Sequence, residues 1–593
     1  METFWNPVIY FSSLLVCMCL GNVYKRINST ETKRNYGTGV GLLVVCLICG
    51  SHILHTIFLV LGNAIVIRCC DKSYVHRISL LYTFFLLLYF QLNVKESVYE
   101  LWIFQVLTLR MVGMAFEVNL AYKSKVAKEA LKKAIPEPTE MKISVNPSRE
   151  SSISVTPVET ATKKARESLS TKAGLKVPSD TNKEESATES PSAVQRNAPV
   201  ARSANDRLSP GNVLSQADKT ARRFSESVAA ADKAVKSLNE RMSITPENRK
   251  EIANVQNNDI AVSKIPLTNS VLELDVMYKD PTAVDIISYA YFFIGLHKGP
   301  YYRWKIFDDH FYNSFGVLGD CRIITEHKLK KAIICGCAYI LLRIKYDPNI
   351  YFQSQFYELY DTDFRYLYSV PHLIMYFLKH QIVMLLCTSV CTETGFGVYP
   401  AKTQPVPGHG PTMSLGLLKM ASTTAEVAME QEYNFSMLKC FENEKLFLGP
   451  TMADTMQAWD MPTRYWFTAY PYKNFMKSNK ELRSAFTFLC WTVWLSPTIP
   501  QFIMSITLWI YMHLEEEFQG LYDTTGSLKL SWSMGFSIMR MMCLVYLTPC
   551  LVIDDARSVL RYYNSINWIY HVVLLSLMVY AVAVAKFRAS NVV

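Results

Sequence analysis

Long apolar runs interrupt this chain of 593 residues and constrain its fold more than any other feature. Residues 7–24 and 566–585 are two such runs, and neither contains Asp, Glu, Lys or Arg. Each is about as long as the roughly 20 residues that a helix needs to cross a bilayer. A transmembrane β-barrel would instead show short segments of alternating hydrophobicity. The runs therefore predict an all-α polytopic membrane protein.

The charge pattern and the cysteines argue against a nucleic-acid-binding protein and against a disulfide-stabilised one. The formal net charge is +10, but the basic residues are dispersed along the chain, which is typical of interfacial anchors and loops of membrane proteins. We therefore expect no nucleic-acid partner. The 15 cysteines lie mostly inside apolar runs, where Cys acts as a small buried hydrophobe, so they indicate no disulfide framework.

Cys46, Cys49, His52 and His55 follow one another at intervals of three residues. Steps of three residues move about 60° backwards around a helix, so four such side chains do not converge on one ion. We expect no metal and interpret the two histidines as helix-packing or cavity residues.

Three further stretches carry structural expectations. Residues 38–70 are long enough for a span and a half, so we expect a bend near Gly50 and Ser51. Arg110 and Glu117 lie inside an apolar run and should face the protein interior, because ionisable groups are costly in lipid. The polar residues 413–450 are predicted to extend into solvent.

A polar middle region, residues 126–284, divides the chain. Residues 1–125 before it are predicted to form N-terminal transmembrane helices, and residues 285–593 after it a transmembrane core. Ser, Thr, Lys, Glu, Ala and Pro dominate the middle region, and such a composition cannot bury enough apolar area to offset its ordering entropy. We predict a long, mostly disordered insert. Within it, residues 214–242 form an unbroken heptad seam, which predicts either a helix that docks a protein partner or a transient helix.

Residues 459–502 combine aromatic residues, a basic hinge and an apolar run interrupted by Pro497 and Pro500. Broken backbone at membrane depth is tolerated only where it is buried in protein or lines a cavity. We therefore expect this stretch to line a cavity.

The same stretch resembles the membrane-bound O-acyltransferases, and within them the lysophosphatidylinositol acyltransferases. That family carries a Trp-Asn pair before the hinge and a Trp-His-Gly after it. Trp459 and Trp494 match the two Trp residues, whereas Asp460 stands at the Asn position and Leu495 at the His position.

The resemblance covers nearly the whole chain outside the insert. Gly299 to Lys305 match a family signature of Gly-Pro, two aromatic residues and alternating basic residues. Tyr302 would then lie at the headgroup level, and Arg303 and Lys305 would present cations to a phosphate. An ordinary aromatic belt with snorkelling basic residues is the alternative.

The resemblance implies a bundle of about 10–11 transmembrane helices around a tunnel in the endoplasmic reticulum membrane. It also implies transfer of an acyl group from acyl-CoA, a co-substrate rather than a bound cofactor, to the hydroxyl of a lysophospholipid, namely lysophosphatidylinositol. The family His is the presumed general base, and Leu495 has no lone pair to accept a proton. A catalytically inactive relative that acts as a lipid-binding scaffold or regulator is therefore the alternative.

Another histidine could replace the missing base. His380 is the first candidate, although the sequence places neither it nor His372 relative to Leu495. His571 is interpreted as a packing residue. His513 would lie about 27 Å from Leu495 along a continuous helix, which is too far.

Overall fold

The computed structural model describes residues 2–94, 97–134, 280–313, 316, 321–524 and 526–590. All of them belong to one compact unit. The heptad seam at 214–242 and most of the predicted insert lie outside these residues. Most of the described part is helical, and its strands form one short antiparallel pair, β1 (Tyr399–Pro400) and β2 (Tyr433–Asn434). The predicted all-α class is confirmed.

The helices before the predicted insert are α1 (Glu2–Lys25), α2 (Thr30–Cys49), α3 (Ile53–Cys69), α4 (Val75–Asn93) and α5 (Val98–Ala134). The bend between α2 and α3 is a 3-10 turn over Gly50–His52, as predicted. Gly50 takes a φ of +50°, which glycine adopts at little cost. His52 bonds to Glu100 at 2.6 Å and His55 packs on Phe90, so both histidines pack between helices.

α5 is buried along most of its length and carries the two predicted interior charges. The Arg110 side chain is fully buried and Glu117 is 7% exposed. Both hold a break in the chain between two short helices, α6 (Ala283–Tyr291) and α7 (Trp304–Tyr312).

Arg110 binds the residues that leave α6. Its guanidinium donates at 2.6–3.1 Å to the carbonyl oxygens of Tyr289, Ala290, Phe292 and Ile294 and to the hydroxyl of Tyr302. These carbonyls have no helical partner and would be costly to bury in an apolar bundle without a donor. Arg110 therefore makes the unwound backbone tolerable there.

Glu117 binds the start of α7. Its carboxylate accepts hydrogen bonds from the backbone amides of Trp304 and Lys305 at 2.8 and 3.2 Å. A carboxylate is favourable at a helix N-terminus, where amides lack intrahelical acceptors. Because seven residues make about two turns, Arg110 and Glu117 lie on one face of α5 and bind both sides of the break.

The helices after α7 fall into long and short ones. The long ones are α8 (Cys321–Lys345), α11 (Ser369–Glu393), α17 (Lys480–Leu495), α18 (Ile499–Leu521), α19 (Lys529–Val552) and α21 (Ile569–Ser590). The short ones are α9 (Ser354–Leu359), α10 (Thr362–Leu367), α12 (Leu415–Thr423), α13 (Ala425–Met429), α14 (Asn443–Leu448), α15 (Met452–Ala458), α16 (Met461–Phe467) and α20 (Ala556–Ser565). A π-helical turn, Thr468–Tyr472, follows α16.

Seven helical segments of the described chain are long and apolar enough to cross a membrane. One of them, Thr30–Cys69, contains both α2 and α3. α8, α17 and α18 are further helices of 16 to 25 residues and lie outside these seven segments, so the count of ten to eleven transmembrane helices stays a prediction. The protein is a multi-pass membrane protein.

A second break separates α14 from α15 at Gly449 and Pro450, and it is held in the same way as the first. Arg540 of α19 donates to the carbonyl oxygens of Leu446 and Phe447, at 2.8 and 2.9 Å. Glu515 of α18 accepts from the amide of Met452 with both carboxylate oxygens at 2.9 Å. Arg540 is buried, and so are Met437, Leu438, Cys440 and Leu446. The prediction that residues 413–450 extend into solvent is therefore wrong for this part, because its apolar side chains pack into the bundle.

α17 and α18 form an antiparallel hairpin. Lys480, the first residue of α17, bonds to Glu516 near the end of α18. The chain leaves helical geometry after Leu495, and Thr498 and Pro500 begin the next helix. The continuous helix assumed for His513 is thus wrong, because the Pro-containing connection reverses the chain.

Candidate functional site

A cavity of about 620 Å³ lies among α11 and α14 to α19. Trp459, Asp460, Trp494 and Leu495 line it, and α11 adds His380. The two positions at which the sequence departs from the family pattern, 460 and 495, therefore face one cavity.

Asp460 lies in the connection between α15 and α16. Its backbone has a φ of +38°, in the left-handed region, where Asp and Asn are the non-glycine residues most often found. Its Oδ1 atom is buried and has no hydrogen-bond partner among the described residues. Burial raises the pKa of Asp460, while Thr463 and the charge of Lys298 act in the opposite direction.

Trp494 and Leu495 form the last turn of α17, and Gln105 of α5 holds that turn. The Gln105 amide donates to the carbonyl oxygens of Trp494 and Leu495 at 2.9 and 3.0 Å. The Trp494 indole donates to the Gln105 carbonyl at 3.1 Å. The backbone at position 495 is therefore fixed, and Leu495 offers the cavity only apolar atoms.

Lys298 is a cavity residue that the sequence analysis missed. Its Nζ atom lies 3.5 Å from Gln105 Oε1 and 4.5 Å from the centre of the Trp102 ring. Burial lowers the pKa of Lys298 to about 8, Asp460 and Cys387 act in the opposite direction, and Lys379 acts in the same direction. The sequence signal that could have identified Lys298 as a cavity residue is its position directly before Gly299 and Pro300, which break the helix.

His380 reaches the same end of the cavity. Its ring lies 5.6 Å from that of Trp459 and 6.5 Å from that of Trp102, measured between centroids. Its Nδ1 atom is 3.0 Å from the carbonyl oxygen of Tyr376, which can only accept a hydrogen bond. The neutral ring therefore carries its proton on Nδ1 and its lone pair on Nε2, which is the tautomer that a general base needs.

The other histidines considered as replacements are elsewhere or engaged. His372 bonds to the Tyr351 hydroxyl at 2.9 Å, and His571 bonds to Tyr546 and Thr507 at 2.5 and 2.9 Å. His513 lines the cavity, but it lies 14 residues into α18, which is about 21 Å along that helix from its start next to Leu495.

The structure does not bring the predicted phosphate-facing residues to this cavity. Arg303 and Lys305 line a separate recess of about 250 Å³. Arg303 donates to His409 at 3.2 Å, and Lys305 pairs with Asp309 at 3.3 Å. The Tyr302 hydroxyl is buried between Arg110 and the Ile294 carbonyl oxygen.

About half of the chain matches a known family. Residues 264–553 match the family model of MBOAT, the membrane-bound O-acyltransferase family. The family resemblance inferred from the sequence is confirmed for this domain.

Several curated relatives are named membrane-bound acylglycerophosphatidylinositol O-acyltransferases. The chain is 25% identical over 307 residues to a Drosophila melanogaster protein named membrane-bound acylglycerophosphatidylinositol O-acyltransferase frj, which is 51% of this chain and 60% of the relative. It is 25% identical over 305 residues to the Xenopus laevis protein of that type named mboat7, with 50% and 62% covered. The Homo sapiens protein, MBOAT7, is 23% identical over 301 residues, with 50% and 62% covered. The chain therefore matches less than two thirds of the length of these relatives.

Proposed function

We propose, from the premise that residues 264–553 form a domain of the membrane-bound O-acyltransferase family, that this chain is a phospholipid-remodelling acyltransferase. It transfers an acyl group from acyl-CoA to the free hydroxyl of a lysophospholipid. Its acceptor is lysophosphatidylinositol, as the names of the relatives suggest. Its site of action is the endoplasmic reticulum membrane.

One observation carries the proposal: His380 lines the same cavity as Asp460 and Leu495, and the contact of its Nδ1 atom with the Tyr376 carbonyl oxygen leaves the lone pair of the neutral ring on Nε2. A hydroxyl is a poor nucleophile until an acceptor for its proton is in place. In our proposal Nε2 of His380 accepts that proton while the hydroxyl oxygen attacks the thioester carbonyl. The carbon–sulfur bond then breaks, and CoA leaves as the thiol.

The other predicted residues bind the substrates. Trp459 and Trp494 supply apolar walls for an acyl chain, since both line the cavity. Arg303 and Lys305 face a lipid phosphate from their own recess, at a distance from the reacting groups. These roles rest on the family resemblance and on the chemistry of the side chains.

A second candidate is favoured by Leu495 itself. A side chain without a lone pair stands where the family has its presumed base, and losing a general base typically costs about two to four orders of magnitude in rate. In that case the chain binds lipid and acyl-CoA without turnover and acts as a scaffold or regulator, with residues 214–242 as the segment that docks a protein partner.

The test is an acyl-transfer assay on the purified full chain in lipid nanodiscs, with radiolabelled oleoyl-CoA and a panel of lysophospholipids. We expect transfer to lysophosphatidylinositol and a loss of about 100-fold or more in His380→Gln. His372→Gln is the matched control, because His372 lies outside the cavity, and it should keep the rate of the wild type. Binding of both substrates without transfer would support the second candidate instead.

A further inference from the structure

Lys298 is an amine that lines the cavity together with Asp460 and Leu495, the positions at which the family resemblance places the reaction. Gln105 connects it to position 495, because its amide group contacts the Lys298 ammonium at 3.5 Å and the Leu495 carbonyl at 3.0 Å. Asp460 is near enough to act on its charge. The proposed function gives Lys298 no role.

The segment that carries Lys298 is held firmly. Lys298 lies in the non-helical chain between α6 and α7, and Arg110 and Glu117 bind that chain on both sides of it. The indole of Trp102 packs against the amine at 4.5 Å. A nucleophile held in this way loses little freedom when a reactant arrives.

The other cations of the cavity wall cannot do the same chemistry. Arg464 carries a guanidinium, which stays protonated and is not a nucleophile. Lys480 is paired with Glu516, and both side chains are more than half exposed. Among the described residues that line the cavity, Lys298 is the amine without a salt bridge.

The surroundings of Lys298 favour a neutral amine. Desolvation destabilises an ammonium relative to the amine, and lysines activated by apolar surroundings serve as nucleophiles in enzymes. The titratable groups that face it are Asp460 and, on α11, Lys379, His380 and Cys387. The carboxylate of Asp460 can accept the proton that the amine releases.

We propose that Lys298 is itself an acyl acceptor, so that the chain acylates its own lysine from bound acyl-CoA. The Nζ lone pair attacks the thioester carbonyl carbon, the carbon–sulfur bond breaks and its electron pair leaves on sulfur. One proton of Nζ passes to Asp460 and from there to the CoA thiolate. The products are an Nε-acyl-lysine amide and free CoA thiol.

This step needs no base at position 495, because an amine brings its own lone pair. The amide is far more stable than the ester that a hydroxyl would form. The reaction therefore stops after one acyl group per chain and leaves that acyl chain in the cavity. The inference rests on the acyl-CoA binding that the proposed function includes.

The experiment uses the purified full chain in nanodiscs with oleoyl-CoA and no lysophospholipid. Intact mass spectrometry should show one added oleoyl group, resistant to neutral hydroxylamine, and peptide mapping should place it on Lys298. Below pH 8 the adduct should form about tenfold more slowly per pH unit, since the neutral amine is the reactant. Lys298→Arg keeps the positive charge and should abolish the adduct, whereas Lys379→Arg, the matched control, should keep it.

Binding is measured separately with a radiolabelled thioether analogue of oleoyl-CoA, which cannot transfer its acyl chain. If the analogue binds to wild type and to Lys298→Arg but oleoyl-CoA gives no adduct, this inference is overturned and the proposed function stands. An adduct on another residue, or one released by hydroxylamine as a cysteine thioester would be, overturns it as well. If the analogue does not bind to the wild type, both proposals fall.

Discussion

Replacing Arg110 by Met is expected to prevent folding of the bundle. The change removes five hydrogen bonds, and the carbonyl oxygens of Tyr289, Ala290 and Phe292 lose their buried donor, whereas the Ile294 carbonyl keeps its bond from the Tyr302 hydroxyl. Each unsatisfied buried group costs about 1–3 kcal/mol, so the three together cost about 3–9 kcal/mol. That loss is comparable to the whole stability of a typical domain, about 5–15 kcal/mol.

The conservative change Arg110→Lys gives a graded result. An ammonium has three donors at one point and cannot reach all five acceptors. Losing at least two of the bonds costs about 2–6 kcal/mol, so this variant should fold and melt earlier than the wild type.

The assay is thermal unfolding in detergent with a thiol-reactive dye, since Cys17, Cys387 and Cys391 are buried and become reactive on unfolding. Size-exclusion chromatography reports whether Arg110→Met is monodisperse. The matched control is Arg343→Met, which breaks an exposed salt bridge to Asp347 that is worth about 0–1 kcal/mol. A monodisperse Arg110→Met that melts with the control would refute the account of the break between α6 and α7.

Three other predictions concern Arg540, Asp460 and position 495. Arg540→Met should destabilise the protein by about 2–6 kcal/mol in the same unfolding assay, because it leaves the two carbonyl oxygens at the end of α14 without their donor, at about 1–3 kcal/mol each. Asp460→Asn should raise the melting temperature at pH 8, and the gain should shrink as the pH falls towards 4. Because burial raises the pKa of Asp460, the folded state loses stability as the pH rises through that pKa. The amide of Asn does not ionise and therefore removes this loss. A gain that does not depend on pH would contradict this reasoning. In the His380→Gln background, Leu495→His together with Asp460→Asn should restore acyl transfer by about 100-fold, because a base returns to the cavity wall; no recovery would show that position 495 does not face the reacting hydroxyl.

Several features of the site could be predicted from local sequence. Pro497 and Pro500 indicated broken backbone, and broken backbone at membrane depth indicated a cavity. The apolar setting of Arg110 and Glu117 indicated that both face the interior. These arguments needed only the cost of burying unpaired polar groups.

The remaining features depend on contacts between distant parts of the chain. Lys298 meets Gln105 and Trp102 across 193 or more residues of sequence, and no periodicity applies to the non-helical segment that carries it. Arg303 and Lys305, which lie beyond the same break, were predicted from local sequence instead, and both line another recess. The hairpin of α17 and α18 was missed because a proline can kink a helix or end it, and its spacing does not tell the two apart.

The two breaks in the helices differ in the order in which their polar groups and the partners of these groups are synthesised. Arg110 and Glu117 precede the α6–α7 break in the chain, so the ribosome makes the partners before the segment that needs them. Glu515 and Arg540 follow the α14–α15 break by about 60 to 90 residues, so those carbonyls and amides emerge before their partners exist. Exposed main-chain groups do not enter lipid alone. The groups of the α6–α7 break can therefore be paired as soon as they are made, whereas the carbonyls and the amide of residues 446–452 stay without these partners until α18 and α19 have been synthesised.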